Sequence, residues 1–395
     1  MSELPYRNGS DPSARPLARH VTWHWATPQA QAVLATRDLA AILRFHRRVH
    51  GQSQAEAAAI LGYDKTYISA LELQKRTITD VGSLRNVADR LALPPHVLGV
   101  TDPADTDHRA MLQFGQSTVR LAEIARQSGH ASEAVTELWP LVARLEARAA
   151  DGHTERDVLR LLAHARLSLG TALGNVLPEE HLSTAARWTA KSLDLVSHLA
   201  EAALTSTALR MHGNELRKAG LHGAAVDRLL RASTLTPNQA GRAAVLPLLA
   251  RAAGALGNAE LFDRTLREAQ HLLQDAEHTS LFNPVALYEI RMRGLVATGR
   301  PRTAIREVEC GAPTATTTVA PQWRVIELIT VGRVRMLAGD ARAAADLFDA
   351  ATREATVQRL PHQLQRIIRA SKDTLPETSD AALLALGQIR TEMAA

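Results

Sequence analysis

Cysteine, lysine and aromatic side chains are all scarce in this chain. A single cysteine, Cys310, stands among 395 residues, so neither an internal disulfide nor a cysteine-based metal cluster is available. That usage fits a reducing compartment, and the expected location is cytoplasmic. Cys310 itself reads as a small buried hydrophobe. Phe, Trp and Tyr make up only 4% of the residues, too few for the aromatic content that sheets favour. Lysine supplies five of the 46 cationic side chains, a bias that suits a high-GC genome. No run approaches the ~18 apolar residues of a bilayer span, so no membrane partner is expected. The first twenty residues are polar and proline-containing, without the apolar stretch of a signal peptide.

The motifs of common enzyme chemistry are missing too. There is no phosphate-binding glycine loop, no H-E-x-x-H and no G-x-S-x-G. The 16 histidines are scattered. His20 and His24 are four apart, a spacing that could hold a metal on a helix, but no carboxylate or cysteine accompanies them. The chain is therefore not expected to be an enzyme, and no catalytic residue, metal or cofactor is expected.

Alanine and leucine dominate, and with arginine and glutamate they lose little side-chain entropy in a helix. The expected class is all-α. Charge is unevenly placed: residues 1–100 hold 12 Lys and Arg against 8 Asp and Glu, whereas the remainder holds 34 against 33. A basic end on a near-neutral body points to a polyanionic partner at that end.

Four segments follow from the pattern: an arm at 1–35, a compact helical domain at 36–100, a long helical region at 101–375 and a C-terminal helix at 376–395. In the arm, Trp23 and Trp25 read as anchors packed on the body. From Thr36, Leu39, Ile42, Leu43 and His46 recur at helical spacing, and Gly51 ends that helix. Ser53 caps a short second helix, Gln54 to Leu61, in which Ala57 and Ala58 permit close approach. Gly62-Tyr63 turns the chain, and Asp64 caps a third helix running to about Leu73. Two short helices across such a turn form a helix-turn-helix. A fourth helix, Val81 to Leu91, faces Leu84, Val87, Ala88 and Leu91 inward, and a final short helix begins at Pro94-Pro95 with Val97 and Leu98.

The stretch from Gly51 to Val100 resembles the Cro/CI-like (XRE) repressor family across its five-helix, lambda-repressor-like domain. Gln54 opening the second helix, the Leu61-Gly62 turn, Ile68 within the third helix and Glu72 near its end carry the resemblance. It implies binding to double-stranded operator DNA as a homodimer, with the third helix in the major groove. Lys65, Thr66 and Ser69 would then face base edges, Gln54 and Tyr67 would touch phosphates, and Lys75 and Arg76 would lie just beyond. Arg47 would pair with Glu72 and lock the first helix to the third. The residue chemistry agrees: Lys65 suits guanine O6 and N7, Thr66 can donate, accept or meet a thymine methyl, and Gln54 sits at a positive helix end. Two departures stand out. Gln74 occupies the exit turn where the family commonly has glycine, and Ala70 replaces a long polar reader, which leaves readout leaning on phosphates and DNA shape.

Beyond residue 100, glycines mark a repeat. Gly129, Gly220, Gly299 and Gly339 are each followed five residues later by alanine and nine later by an apolar residue: Ala134/Leu138, Ala225/Leu229, Ala304/Val308 and Ala344/Phe348. Gly257 joins them with Phe262 and Leu266. Residues 206–239 resemble a tetratricopeptide repeat, through Gly213, Leu216, Gly220, Ala225, Leu229, Ala232 and Pro237. The region reads as a tetratricopeptide-like α-solenoid of about six helical hairpins, with an irregular helical bundle as the alternative. The first helix of each unit would line a groove, with Arg210, Asn214, Arg251, Arg293 and Arg333 facing inward. Such a ladder suits a peptide or a small anionic ligand; arginines solvated on helix faces or paired with Glu289 are the plainer reading.

A helix-turn-helix followed by such repeats resembles peptide-sensing regulators of Gram-positive bacteria and a large set of actinobacterial regulators. The expected function is a sequence-specific transcriptional regulator whose repeats bind an effector and change operator affinity. The alternative is a DNA-localised scaffold whose repeats recruit a protein.

Overall fold

The computed structural model describes residues 22–100, 105–150, 152–236, 238–279, 282–313 and 319–394. Helices account for 80% of the structure, in nineteen α-helices, and among the described residues there is no strand. No described helix is long and apolar enough to cross a membrane. By internal contacts the chain divides into two units. One comprises the described residues up to Leu112 with Arg144–Arg160 and His198–Ala200; the other comprises Gln113–Ala143, Leu161–Ser197 and Glu201 onward.

The first unit opens with a 3-10 turn, Thr22–Ala26, then α1 (Pro28–Ala35), α2 (Leu39–His50), α3 (Gln54–Leu61), α4 (Lys65–Glu72), α5 (Val81–Leu91) and a second 3-10 turn, Pro95–Leu98. Local chemistry sets these boundaries. Asp38, Ser53, Asp64 and Asp80 each accept a hydrogen bond from an otherwise orphaned amide of the first helical turn. Ser53 does so reciprocally with Glu56, forming a capping box. Gly51 and Gly62 leave α2 and α3 in the left-handed conformation, at φ of 61° and 74°. The core gathers Trp25, Ile42, Leu43, Leu61, Ile68 and Leu91, each burial contributing about 1.5–3 kcal/mol.

Residues 22–35, expected to belong to an arm, are part of this core. The Trp25 side chain is fully buried, and its Nε1 donates to the Leu91 carbonyl at 2.8 Å. Ala30 and Leu34 of α1 pack beside it. Trp25 is thus an anchor, as its pairing with Trp23 had suggested; the Trp23 side chain lies outside the described residues. The exit from α4 keeps its left-handed turn despite lacking glycine: Gln74 takes φ of 56°, which costs about 1–2 kcal/mol. Lys75 N–H still closes on the Ala70 carbonyl at 2.8 Å, and Gln74 Nε2 donates to Asp38 at 3.1 Å.

Fourteen further helices follow: α6 (Asp105–Gln127), α7 (Ala131–Ala150), α8 (Arg156–Val176), α9 (Leu182–Leu199), α10 (Ala202–Lys218), α11 (His222–Thr234) and α12 (Gln239–Leu256), then α13 (Ala259–Leu272), α14 (Pro284–Ala297), α15 (Pro301–Cys310), α16 (Pro321–Leu337), α17 (Ala341–Val357), α18 (Pro361–Ser371) and α19 (Pro376–Ala394). They form successive pairs. Each of α10, α12, α14 and α16 packs on its own partner and also on the first helix of the next pair, so the core is a series of adjoining clusters rather than one centre.

All five glycines that mark the repeat adopt positive φ, between 77° and 92°. The apolar residues that follow them, from Ala134/Leu138 to Ala344/Phe348, are buried. A second set of glycines lies where paired helices touch. A Cβ on Gly213 would sit 2.8 Å from Leu229 Cγ, and one on Gly332 would sit 2.7 Å from Phe348 Cε1. Cys310 corrects its expectation: it ends α15 and is exposed, because the buried face of that short helix is carried by Ala304 and Val308.

Replacing Trp25 by alanine should remove about 3–5 kcal/mol of stability, read as an earlier unfolding transition in chemical denaturation. A change below about 1 kcal/mol would mean that the 3-10 turn is peripheral after all.

Candidate functional site

Two places concentrate polar chemistry, one in each unit. In the first, Glu72 at the end of α4 is only 4% exposed. Arg47 from α2 meets it with two parallel bonds, Nε to Oε1 at 2.6 Å and Nη2 to Oε2 at 2.9 Å. This is the forked geometry in which a guanidinium binds a carboxylate most strongly. Gln54 Nε2 adds a third bond to Oε2 at 2.7 Å, and Arg44 caps the Glu72 backbone carbonyl. Burial would push this carboxyl up, but Arg47 and Gln54 outweigh it and hold it below the usual carboxylate range. One carboxylate thereby ties α2, α3 and α4 together.

Gln54, expected at a phosphate, gives one amide hydrogen to Glu72 and is partly exposed, so its second amide hydrogen is not used by that bond. Lys65 and Thr66, in the first turn of α4, are exposed, while Ser69 one turn later is half-buried. Tyr67 stacks on Tyr63 with centroids 4.8 Å apart, and the Arg76 guanidinium lies over its ring at 5.6 Å. Lys75 and Arg76 are exposed beyond the helix. Lys65, Thr66, Lys75 and Arg76 thus lie at the two ends of α4, with Tyr67 reaching Arg76 between them.

In the second unit, the first helices of successive pairs converge on a cavity of about 160 Å³. α8, α10, α12, α14, α16 and α18 all contribute to its wall. Four of the five residues assigned to an inward-facing ladder line it: Arg210, Asn214, Arg251 and Arg293. Arg333 does not; it is exposed on α16. The plainer reading holds for part of the ladder, since Arg293 pairs with Glu289, which is itself 1% exposed on its side chain.

The cavity holds more positive charge than its surroundings neutralise. Arg126, Arg217, Lys218 and Arg366 join Arg210, Arg251 and Arg293, against one lining carboxylate, Glu179, which already binds Arg369 at 2.7 Å. Arg126 is held by Glu123, with Nε to Oε2 at 2.9 Å, and Lys218 by Glu215 at 3.0 Å. Arg251 feels Glu289 and Glu215 only at a distance, with no ion pair among the described residues; its guanidinium lies 4.8 Å over the Trp323 ring. The Nε atoms of Arg217, Arg251 and Arg293 are buried without a hydrogen-bond acceptor. Such groups cost free energy until an acceptor reaches them.

Burial, reinforced by mutual repulsion, sets the protonation of these groups. It pushes Lys218 down to about 8 and Arg251 to about 10. Arg217, Arg366 and His362 fall well below their ordinary values for the same two reasons. Burial would raise the Glu289 carboxyl, but Arg293, Arg251 and the Thr330 hydroxyl hold it low. The arrangement is chemically suited to a small anion, a carboxylate or phosphate whose oxygens would satisfy the stranded guanidinium donors. Sequence reading missed Arg217, Lys218, Trp323, His362 and Arg366. Arg217 continues the stripe of Arg210 and Asn214 at helical spacing and was within reach; Trp323 and Arg366 come from pairs whose register the sequence does not reveal.

A polyvalent anion such as pyrophosphate or citrate should raise the melting temperature above that in chloride at matched ionic strength, and Arg251→Gln should abolish the shift. At a hundred times its dissociation constant the anion would contribute about 2.7 kcal/mol. Because the bound anion favours protonated Lys218, binding near pH 8 should take up protons, measurable by calorimetry in buffers of different ionisation enthalpy. An equal shift in Arg251→Gln would reject the cavity as the anion site.

No protein-family model matches the chain, and no curated protein matches it, so its function rests on the chemistry of these residues.

Proposed function

We propose that the protein is a sequence-specific DNA-binding transcriptional regulator, with α3 and α4 as its helix-turn-helix and the cationic cavity as its effector site. The observation that carries this reading is the knot at Glu72. It fixes α4 against α2 and α3 from behind while leaving Lys65 and Thr66 exposed in the first turn of α4 and Lys75 and Arg76 just past its end. A helix that presents donors at its N-terminal end and cations beyond its C-terminal end suits major-groove docking, with base edges met by the first and phosphates by the second. The surplus of basic residues in the first hundred supports the same assignment.

Lys65, Thr66 and Ser69 are the proposed base readers; Tyr67, Lys75 and Arg76 are the proposed phosphate contacts. Gln54 bonds Glu72 and is proposed to offer its second amide hydrogen to a phosphate. Two half-sites one helical turn apart would require a homodimer. The repeat region is proposed as a tetratricopeptide-like solenoid whose cavity takes an anionic effector, with coupling to operator affinity of about 1–3 kcal/mol as is usual for allostery. A cavity of about 160 Å³ lined by arginines favours a small anion, or the carboxyl end of a peptide, over recruitment of a folded protein.

Genome-wide mapping of binding sites should give a pseudo-palindromic operator. On that operator, K65A/T66A should lose discrimination against random DNA while keeping its helical content. Lys75→Ala and Arg76→Ala should instead weaken binding uniformly and lower the salt dependence by about one counterion each. Normal footprinting by K65A/T66A would show that α4 does not read the sequence.

A further inference from the structure

Of the sequence pair His20/His24, His20 lies outside the described residues, but His24 is not alone. It sits in the 3-10 turn Thr22–Ala26, which the buried Trp25 anchors to the core. That turn brings it to His46 and His50, which are four apart on α2 and therefore share one face of the helix. The ring centroids lie 4.5 Å apart for His46 and His50, 4.6 Å for His24 and His50, and 5.4 Å for His24 and His46. One nitrogen from each ring falls within 4.8 Å of the other two.

We propose that His24, His46 and His50 form a binding site for a divalent late transition metal of the zinc class, clipping the N-terminal turn to α2. The geometry is close to what such an ion needs. Tetrahedral coordination with metal–nitrogen bonds of about 2.0–2.1 Å places ligand atoms about 3.4 Å apart, so each ring need move less than about 1 Å. The donor set is chemically consistent: three imidazoles suit zinc, copper or nickel rather than calcium or magnesium. Three protein ligands leave a fourth position for water or an external ligand.

Two further observations separate this cluster from an ordinary packed histidine. His50 Nε2 is buried and meets no hydrogen-bond partner, which an apolar contact would leave uncompensated. His46 is 3% exposed and faces the other two imidazoles. The ion would also bear on α2 one residue from Arg47, which reaches the Glu72 carboxylate.

Cobalt(II) is the probe. Untagged full-length protein, freed of metal with a chelator, is titrated with Co²⁺ and followed by visible d–d absorption, and Zn²⁺ is then added in competition. The expected result is saturation at one equivalent with tetrahedral-type bands, which zinc abolishes. His24→Gln and His50→Gln change rings that are only partly buried and should keep the circular dichroism of the metal-free protein. Each should weaken cobalt binding by at least about 100-fold, since loss even of an outer-shell partner costs about 10–100-fold. Absence of visible bands at excess cobalt, or wild-type affinity in either folded variant, would overturn the site and leave the three rings as a packed cluster. No step depends on DNA or on the cationic cavity, so this test stands apart from the proposed regulator function.

Discussion

A carboxylate buried at the end of a short helix has few acceptable environments, and Glu72 shows what satisfying one demands. Taken from water without partners, it would be too costly to retain as an ion. Arg47 and Gln54 supply three charge-assisted bonds to its oxygens, and each comes from a different helix. The requirement therefore becomes a geometric one: α2, α3 and α4 must hold a single mutual arrangement, or the charge is stranded. Breaking one side of such a buried pair typically costs about 3–5 kcal/mol. The helices of this unit are short, eight to twelve residues from α1 to α5, and could not hold that arrangement by intrinsic propensity. The exposed face of α4 is positioned because its hidden face is fully bonded.

The second unit poses the same problem and leaves it partly unanswered. Its first helices bring guanidinium groups together around one cavity, where several donors find no acceptor and neighbouring cations repel one another. Glu215 and Glu289 compensate part of this, and Trp323 shields Arg251 by offering the negative face of its ring. What remains is a cavity with guanidinium donors that find no acceptor among the described residues, which is why an anion is proposed there. Two buried charge clusters thus do opposite work. The first is closed and structural. The second is incomplete, and its incompleteness is the physical basis for assigning it a ligand.

Much of the fold was legible because local signals agreed with one another. The caps Ser53 and Asp64 and the glycines Gly51 and Gly62 that close the helices set limits that the structure reproduces nearly residue for residue. The five repeat glycines marked turns correctly, because only a residue without a Cβ takes positive φ there cheaply. Where signals were ambiguous the reading went astray. Cys310 looked apolar by type but lies on the outer side of a short helix. Trp25 was expected to pack on the body, but its partner was not legible, since no periodicity joins it to Leu91, 66 residues away. The place of Gln54 at a helix start did not reveal its bond to a carboxylate on another helix.

The sequence by itself determined that the chain is helical and where most helices begin and end; the meeting of Arg47 with Glu72 was expected only from a family resemblance. The sequence also carried, in the charge of its first hundred residues, the reason to expect a polyanionic partner. Only tertiary structure decided which cations face each other. Arg210 joins the cavity and Arg333 does not, although both are arginines on first helices. His24 meets His46 and His50, from another helix. Periodicity fixes which residues share a face of one helix, whereas the partner of that face depends on packing between helices far apart in the chain.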